Sequence, residues 1–268
     1  MGAATARVRN LAGLGALFVI LGTPAWDAAT FPLPAAACEP VDPPLATILF
    51  MSDTHDSDDD VIATIARQLR TETGIDRVVH AGDVGDEACR MYGRWWDVPY
   101  GDLPWPVAAV SGNHDDPGCF AKRFGILPRI VSLRGVDFFL LPWAGQLEGE
   151  HLQWLDRETA RSTAAVKVLV IHKAPWHISE NAMQVREPSD EVKAVLRRID
   201  LVLAGHNHVF WDSTHDLDGH AVRQVIEVTG SKFYPCVAGA DGCVAHSAGY
   251  SIIAIYGSDD IRVSRRSF

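Results

Sequence analysis

The sequence predicts an α/β domain, and three observations carry that prediction. Short apolar runs of strand length recur along the chain, stretches of helical character lie between some of them, and five of the runs end in clusters of Gly, Asp, Asn or His. A run that is apolar throughout is the mark of a strand covered on both faces. The length of 268 residues is enough for one substantial core. With 47% hydrophobic and 22% charged residues, the composition excludes disordered, collagen-like and coiled-coil proteins. A net charge of −10 argues against nucleic-acid binding through a basic surface. It argues against an anionic substrate only if no metal is bound.

The chain begins with a segment that reads as separate from the fold. Residues 10–26 carry no charge, Arg7 and Arg9 precede an apolar core at 11–21, and Thr23-Pro24-Ala25 follows it. This is the layout of a secretory signal peptide, assigned here to residues 1–25 with cleavage after Ala25. The apolar stretch is interrupted by Gly13, Gly15 and Gly22 and is shorter than the ~20 residues of a membrane span. A later cleavage near Ala37 would lie far from the apolar core. Ala35-Ala36-Ala37-Cys38 only faintly resembles a lipoprotein box, because it lacks the leading Leu and comes late. Membrane contact is therefore expected only through an uncleaved N-terminal segment or a lipidated Cys38. Residues 26–44 form a stiff Pro-rich linker, and the folded domain is assigned to residues 45–268. The expected location is secreted or periplasmic.

Export permits disulfides. Cys236 and Cys243 enclose a Gly-rich loop and are the easiest pair to close. Cys89 and Cys119 form a second candidate pair, with Cys38 left over and free buried thiols as the alternative reading.

The five informative runs are residues 47–51, 77–81, 107–110, 166–171 and 201–204. They are followed in turn by Ser52-Asp53-Thr54-His55, Gly82-Asp83-Val84-Gly85-Asp86, Gly112-Asn113-His114-Asp115, His172, and Gly205-His206-Asn207-His208. Ligands of an open α/β sheet bind beyond the carboxyl ends of its strands. These strand ends would deliver Asp53, His55, Asp83, Asn113, His172, His206 and His208 to one edge. Oxygen and imidazole donors of this kind suit divalent transition metals. Residues at i and i+2 point the same way in extended chain, which pairs Asp53 with His55 and His206 with His208. Gly82, Gly112 and Gly205 are expected to let the backbone turn at the edge. A single Asp-x-His is an ordinary turn or cap, and a single His-x-His an ordinary surface pair. The joint order of all five motifs is what carries the metal reading.

That order resembles the calcineurin-like metallophosphoesterases, whose pattern runs D-x-H, G-D-x-x-D, G-N-H-D, H and G-H-x-H. The resemblance covers roughly residues 45–265, with Glu87-Ala88 as a looser stretch after Asp86. Asp53-x-His55 sets it apart from purple acid phosphatases, which use a Tyr ligand. The resemblance implies a sandwich of two mixed β-sheets flanked by helices. It also implies two metal ions, Mn, Fe or Zn. Asp53, His55 and His208 would hold the first, Asn113, His172 and His206 the second, and Asp83 both. His114 would contact the phosphate and protonate the leaving oxygen, while Asp115 would hold the His114 ring.

The chemistry fits these residues. Phosphoester hydrolysis is extremely slow unaided. Two ions about 3.5–4 Å apart clamp an in-line displacement and turn a shared water into a hydroxide nucleophile. Two divalent ions, the carboxylates of Asp53 and Asp83 and one hydroxide leave a local charge of about +1, which attracts phosphate to an acidic protein. The expected activity is hydrolysis of small-molecule phosphomonoesters or phosphodiesters by a metal-bridging hydroxide, with no covalent phosphoenzyme. A dinuclear hydrolase of amides or lactones and a catalytically silent metal-binding scaffold are the rival readings.

Other residues invite functional readings. Asp58, Asp59 and Asp60, with Asp56, read as the start of a helix at 61–71 rather than as ligands. His80 reads as packed, His151 as lying on the wet face of a helix at 147–164, and His215, His220 and His246 as surface residues. The aromatic segment from Tyr92 through Trp95 and Trp96 to Trp105 is either a substrate wall or a loop packed on the sheet edge. Trp176-His177 carries the same two readings, and Arg94 and Lys173 are candidate phosphate partners. The remaining elements are strands at 137–141, 222–228, 251–256 and 261–265, and a helix at 190–199.

Overall fold

The computed structural model describes residues 42–55, 57–85, 89–179 and 183–268. The expected signal peptide, most of the linker, Cys38, Asp56 and Asp86 lie outside the described residues. In chain order the first strands are β1 (Ala46–Met51), β2 (Arg77–His80), β3 (Val107–Ala109), β4 (Arg129–Leu133), β5 (Val136–Leu140) and β6 (Val166–Lys173). Then come β7 (His177–Ser179), β8 (Gln184–Arg186), β9 (Leu201–Gly205), β10 (Phe210–Leu217) and β11 (His220–Ile226). The last are β12 (Cys243–Val244), β13 (Gly249–Ile255) and β14 (Ile261–Ser267). The helices are α1 (Asp59–Leu69), α2 (Val98–Tyr100), α3 (Pro117–Phe124), α4 (Gly149–Arg161) and α5 (Asp190–Leu196).

The strands form the expected two mixed sheets. One has five strands in the order β14-β13-β1-β2-β3, the other seven in the order β12-β10-β11-β9-β6-β5-β4, and β7 and β8 make a small separate hairpin. Period-two alternation explains how one apolar run serves two cores. In β1, Ile48 and Phe50 join a core built from both sheets, with Phe138, Val168, Leu203 and Ile253. Leu49 and Met51 face the opposite way, onto Ile62, Ile65 and Leu69 of α1. In β6, Val168 and Val170 belong to the shared core, while Leu169 and Ile171 meet Leu152 and Leu155 of α4 and Val192 and Leu196 of α5. The result is four layers: helices, sheet, sheet, helices. No helix among the described residues is long and apolar enough to cross a membrane.

Helix α1 starts where the acidic run predicts. Asp58 is its N-cap, and Asp59 and Asp60 fill the first turn, where carboxylates favour the helix terminus. The sequence reading misses β10 and β4. β10 carries polar residues on its exposed face and β4 is a half-exposed edge strand, so neither shows a continuous apolar run. The aromatic segment resolves as packing. A π-helical turn at Gly93–Asp97 runs into α2, and Tyr92, Trp95, Trp96 and Tyr100 are buried against β1, β2 and α3. Both candidate disulfides are present, Cys89–Cys119 and Cys236–Cys243.

Candidate active site

Parallel pairing brings the motifs to one edge. β1 and β2 run parallel with Met51 opposite His80, and β3 runs parallel to β2 with Ala109 opposite His80. The loops that follow are stitched together, Asp53 N–H donating to Gly82 O and Thr54 N–H to Asp83 O, each at 3.0 Å. In the other sheet β6 and β9 are also parallel, and their register slips between Val170 and Lys173. A bulge of this kind re-aims a side chain, and His172 lies within it, inside the strand rather than after it.

Four of the candidate ligands have left-handed backbones: Asp53 at φ 52°, Asp83 at φ 54°, His206 at φ 69° and His208 at φ 48°. Non-glycine residues in this region cost roughly 1–3 kcal/mol each and cluster at functional sites. The ligands themselves therefore make much of the turn expected of the glycines. Gly82 does turn, at φ 95°. Gly112 and Gly205 do not have positive φ; they are needed for close approach. A Cβ on Gly112 would collide with the Asp83 carboxylate, and one on Gly205 with the Ser52 and Asp53 side chains.

Asp83 lies at the centre. Its Oδ2 is 3.2 Å from His172 Nε2 and 3.9 Å from His55 Nε2. Asp53 Oδ1 is 3.5 Å from His208 Nε2. Asn113 Oδ1 lies 3.1 Å from His172 Nε2 and 3.0 Å from His206 Nδ1. Two triads have donor atoms within 4.8 Å of one another: His55, Asp83 and His208, and Asp53, Asp83 and His172. Asp83 belongs to both. Asp53, expected beside His55 and His208, is near His208 but is grouped with Asp83 and His172 in the second triad rather than with the first. Asp53, His55, Asp83, His172 and His208 are buried, His206 is half-buried and Asn113 is exposed, so the cluster opens to solvent on the Asn113 side.

These residues fit metal ions. Both ring nitrogens of His55 are buried with no hydrogen-bond partner, an arrangement that calls for an explanation in a native core. His172 Nδ1 donates to Ala81 O at 2.8 Å and His208 Nδ1 to Lys232 O at 2.9 Å, which directs each Nε2 into the cluster. Outer contacts of this type fix the tautomer of a metal-binding histidine. Burial pushes the Asp83 carboxyl up, but the adjacent His172 and His55 rings hold it well below the usual carboxylate range. Burial likewise opposes charge on His172, yet the Asp83 carboxylate raises its pKa to about 9. Metal binding must therefore displace a proton. Burial, with His172 nearby, lowers His206 to about 3.

His114 is half-buried. Its ring stacks on His55 at 4.4 Å between centroids, and its backbone N–H donates to Asp83 Oδ1 at 2.9 Å. The buried Asp115 carboxylate accepts from the backbone N–H groups of Val84, Gly85 and Gly112 and from the Tyr92 hydroxyl. It thereby joins the Asp83 loop to the Asn113 loop, and this is how it bears on His114.

His80 is packed, as expected. Gly82 N–H donates to its Nδ1 at 3.2 Å, and its Nε2–H meets Thr54 Oγ1 at 3.2 Å. His246 is exposed, and His151 is half-buried, its Nδ1 donating to Gly145 O at 3.1 Å. His215 and His220 are not simple surface residues: His215 stacks on buried Trp176 at 3.9 Å, and His220 Nε2 donates to Ile199 O. Arg94 pairs with Asp59 at 3.1 Å rather than with the cluster. Trp143 and Gln146 escape the sequence reading. Trp143 packs on His206 at 5.2 Å and on His172 at 5.5 Å. Gln146 Oε1 accepts from His172 N–H at 3.2 Å and its Nε2 donates to Lys173 O at 2.7 Å. Both follow β5, which runs parallel to β6 and ends at the same edge, so the strand-end rule applied once more would have found them.

Comparison with known proteins accords with this geometry. A protein of Fibrobacter succinogenes described as a probable cyclic nucleotide phosphodiesterase is 26% identical over 182 residues, 59% of this chain and 71% of that protein. A Synechococcus protein described in the same terms is 29% identical over 122 residues, 40% of this chain and 48% of its own length. Among solved structures, GAP50, described as the anchor in the inner membrane complex of Plasmodium, aligns over 83% of this chain and 84% of its own with a TM-score of 0.61 at 13% identity. TT1561 of Thermus thermophilus aligns over 82% of this chain and 98% of its own with a TM-score of 0.51 at 16% identity. Those structures share the fold, and a fold does not fix an activity. The sequence pattern of the calcineurin-like phosphoesterases matches residues 46–210. That span holds every candidate ligand, and the chain belongs to the calcineurin-like phosphoesterase family and is a phosphoric ester hydrolase.

Proposed function

We propose that this protein is an exported phosphodiesterase that uses two metal ions and acts on small phosphodiesters of the cyclic nucleotide type. The observation that carries the reading is the position of Asp83, shared by two donor triads. Asp53, His55 and His208 hold one ion, Asn113, His172 and His206 the other, and Asp83 faces both. The donor set suits Mn, Fe or Zn. Such ions supply a water deprotonated near neutral pH and neutralise charge on the phosphoryl oxygens. Asn113, on the open side, orients the phosphoryl group. His114, held by its backbone to Asp83 and by its ring to His55, donates a proton from its ring to the leaving oxygen. Asp115 keeps that loop in place. The diester preference and the cyclic nucleotide class come from the named relatives. Two disulfides and the N-terminal segment favour export.

The test is hydrolysis of p-nitrophenyl phosphate, bis-p-nitrophenyl phosphate and 3′,5′-cyclic AMP by metal-stripped protein reloaded with Mn, Zn or Fe. Diester cleavage should require metal and fall to background in Asp83→Ala. Two bound ions with no ester cleaved would reject the reading.

A further inference from the structure

Trp143, which packs on His206 and His172, also walls a groove of about 510 Å³ that leads away from the cluster. That volume falls within the usual ~300–1,000 Å³ of small-molecule sites. Neither this groove nor a larger one along α1, lined by Ile62, Arg67 and Val98, contains a candidate ligand, but the Trp143 wall packs directly on two of them. The Trp143 groove is held in shape. Trp143 N–H donates to Ser111 Oγ at 3.2 Å, tying the wall to the Asn113 loop. Gln146 grips the backbone of His172 and Lys173, and Leu147 is held at φ 55°. Lys173 lines the groove and directly follows His172 at the end of β6.

The lining indicates what it takes. Trp143, Pro175 and His177 offer flat faces. The Glu187 carboxylate is engaged by Lys193 at 3.3 Å and by the Trp176 indole N–H at 3.0 Å, which leaves Glu148 and Lys173 as the other charged groups of the lining. A groove so balanced offers no cluster of cations for a second phosphoryl group, and the Glu148 carboxylate supplies an acceptor for an amino group on a neutral ring.

We propose that this groove is the subsite for the organic group of the phosphodiester, a planar heteroaromatic base that stacks on Trp143 while the phosphoryl group lies at the Asp83 cluster. The proposal rests on the phosphodiesterase reading and specifies its substrate. Stacking of a base on an aromatic ring corresponds to roughly a tenfold to hundredfold change in affinity.

The test compares 3′,5′-cyclic AMP with 1-O-methylribose 3′,5′-cyclic phosphate, which lacks the base, on metal-loaded wild type, Trp143→Leu and Ala144→Trp. Ala144 is exposed on the groove wall and is not a candidate ligand, so Trp there is expected to obstruct the groove. KM for cyclic AMP should rise at least tenfold in both variants, while kcat/KM for the base-free diester changes less than threefold in Ala144→Trp. In parallel, calorimetry should show 5′-AMP binding wild type at least tenfold more tightly than ribose 5-phosphate, a preference abolished in Ala144→Trp. Equal affinities in wild type, or equal effects of Ala144→Trp on both diesters, would overturn the groove assignment and leave the phosphodiesterase reading standing. Wild type that cleaves neither diester would reject that reading, and the 5′-AMP comparison would still decide the groove.

Discussion

At the scale of the residue, the cluster depends on atoms that have no room to move. Gly112 shows this most directly: its Cα faces the Asp83 carboxylate so closely that Gly112→Ala should displace Asp83 and release metal. Metal content measured after gel filtration checks it, with loss of bound metal expected. Tyr92 is the second case. Its hydroxyl is one of the donors on buried Asp115, and Tyr92→Phe should cost about 1.5–3 kcal/mol, read as a lower urea midpoint. His80 gives a pH signature. Burial lowers its pKa from the ordinary 6.5 to about 3, so the folded protein keeps the ring neutral where the unfolded chain takes up a proton. This contribution to stability is complete above about pH 6.5 and fades as pH falls toward 3, at about 1.4 kcal/mol per pH unit. Metal-free His80→Asn should show a pH dependence of unfolding shallower by that one proton between pH 6 and pH 5.

At the scale of the element, helix α3 carries the third motif's exit. Asp116 caps it by accepting from Cys119 N–H at 2.8 Å, with Pro117 in the first turn. Asp116→Ala should lower stability by about 1 kcal/mol, measured by denaturant titration. The elements that carry ligands are the ones legible in the sequence. β1, β2, β3, β6 and β9 are covered on both faces, so each reads as an apolar run whose end is plain. β10 exposes a polar face and β4 is a half-exposed edge strand, so their patterns merge with the loops around them. The Tyr92 to Trp105 segment was ambiguous for another reason: an aromatic ring looks the same in sequence whether it faces a ligand or a core. Of the cluster, side-chain identities and strand ends were readable. The left-handed backbones of Asp53, Asp83, His206 and His208 and the bulge at His172 were not, because they arise when several loops crowd one edge.

At the scale of the whole molecule, a buried ion pair joins the sheets. Glu227, just beyond β11 of the seven-stranded sheet, accepts from Arg265 of β14 at 3.0 Å and from Ser251 of β13, both in the five-stranded sheet. Arg265 also lies over the Phe210 ring. Arg265→Ala would strand a buried carboxylate and should cost about 3–5 kcal/mol. The double variant Arg265→Met with Glu227→Leu should recover most of that loss, measured by thermal unfolding. The net charge of −10, which at first argues against an anionic substrate, bears only on the distant surface. Under the proposed two-metal reading, what a phosphate meets is the local field of those ions.

The Cys89–Cys119 bridge has a consequence for timing. It joins the segment after the Asp83 loop to the helix after the Asn113 loop, so the two halves of the cluster share one covalent clasp. In a reducing cytosol that clasp stays open. A chain exported as proposed would close that clasp only after leaving the cytosol. Protein made with free thiols should gain activity as Cys89 and Cys119 oxidise, in step with their loss of reactivity toward a thiol reagent.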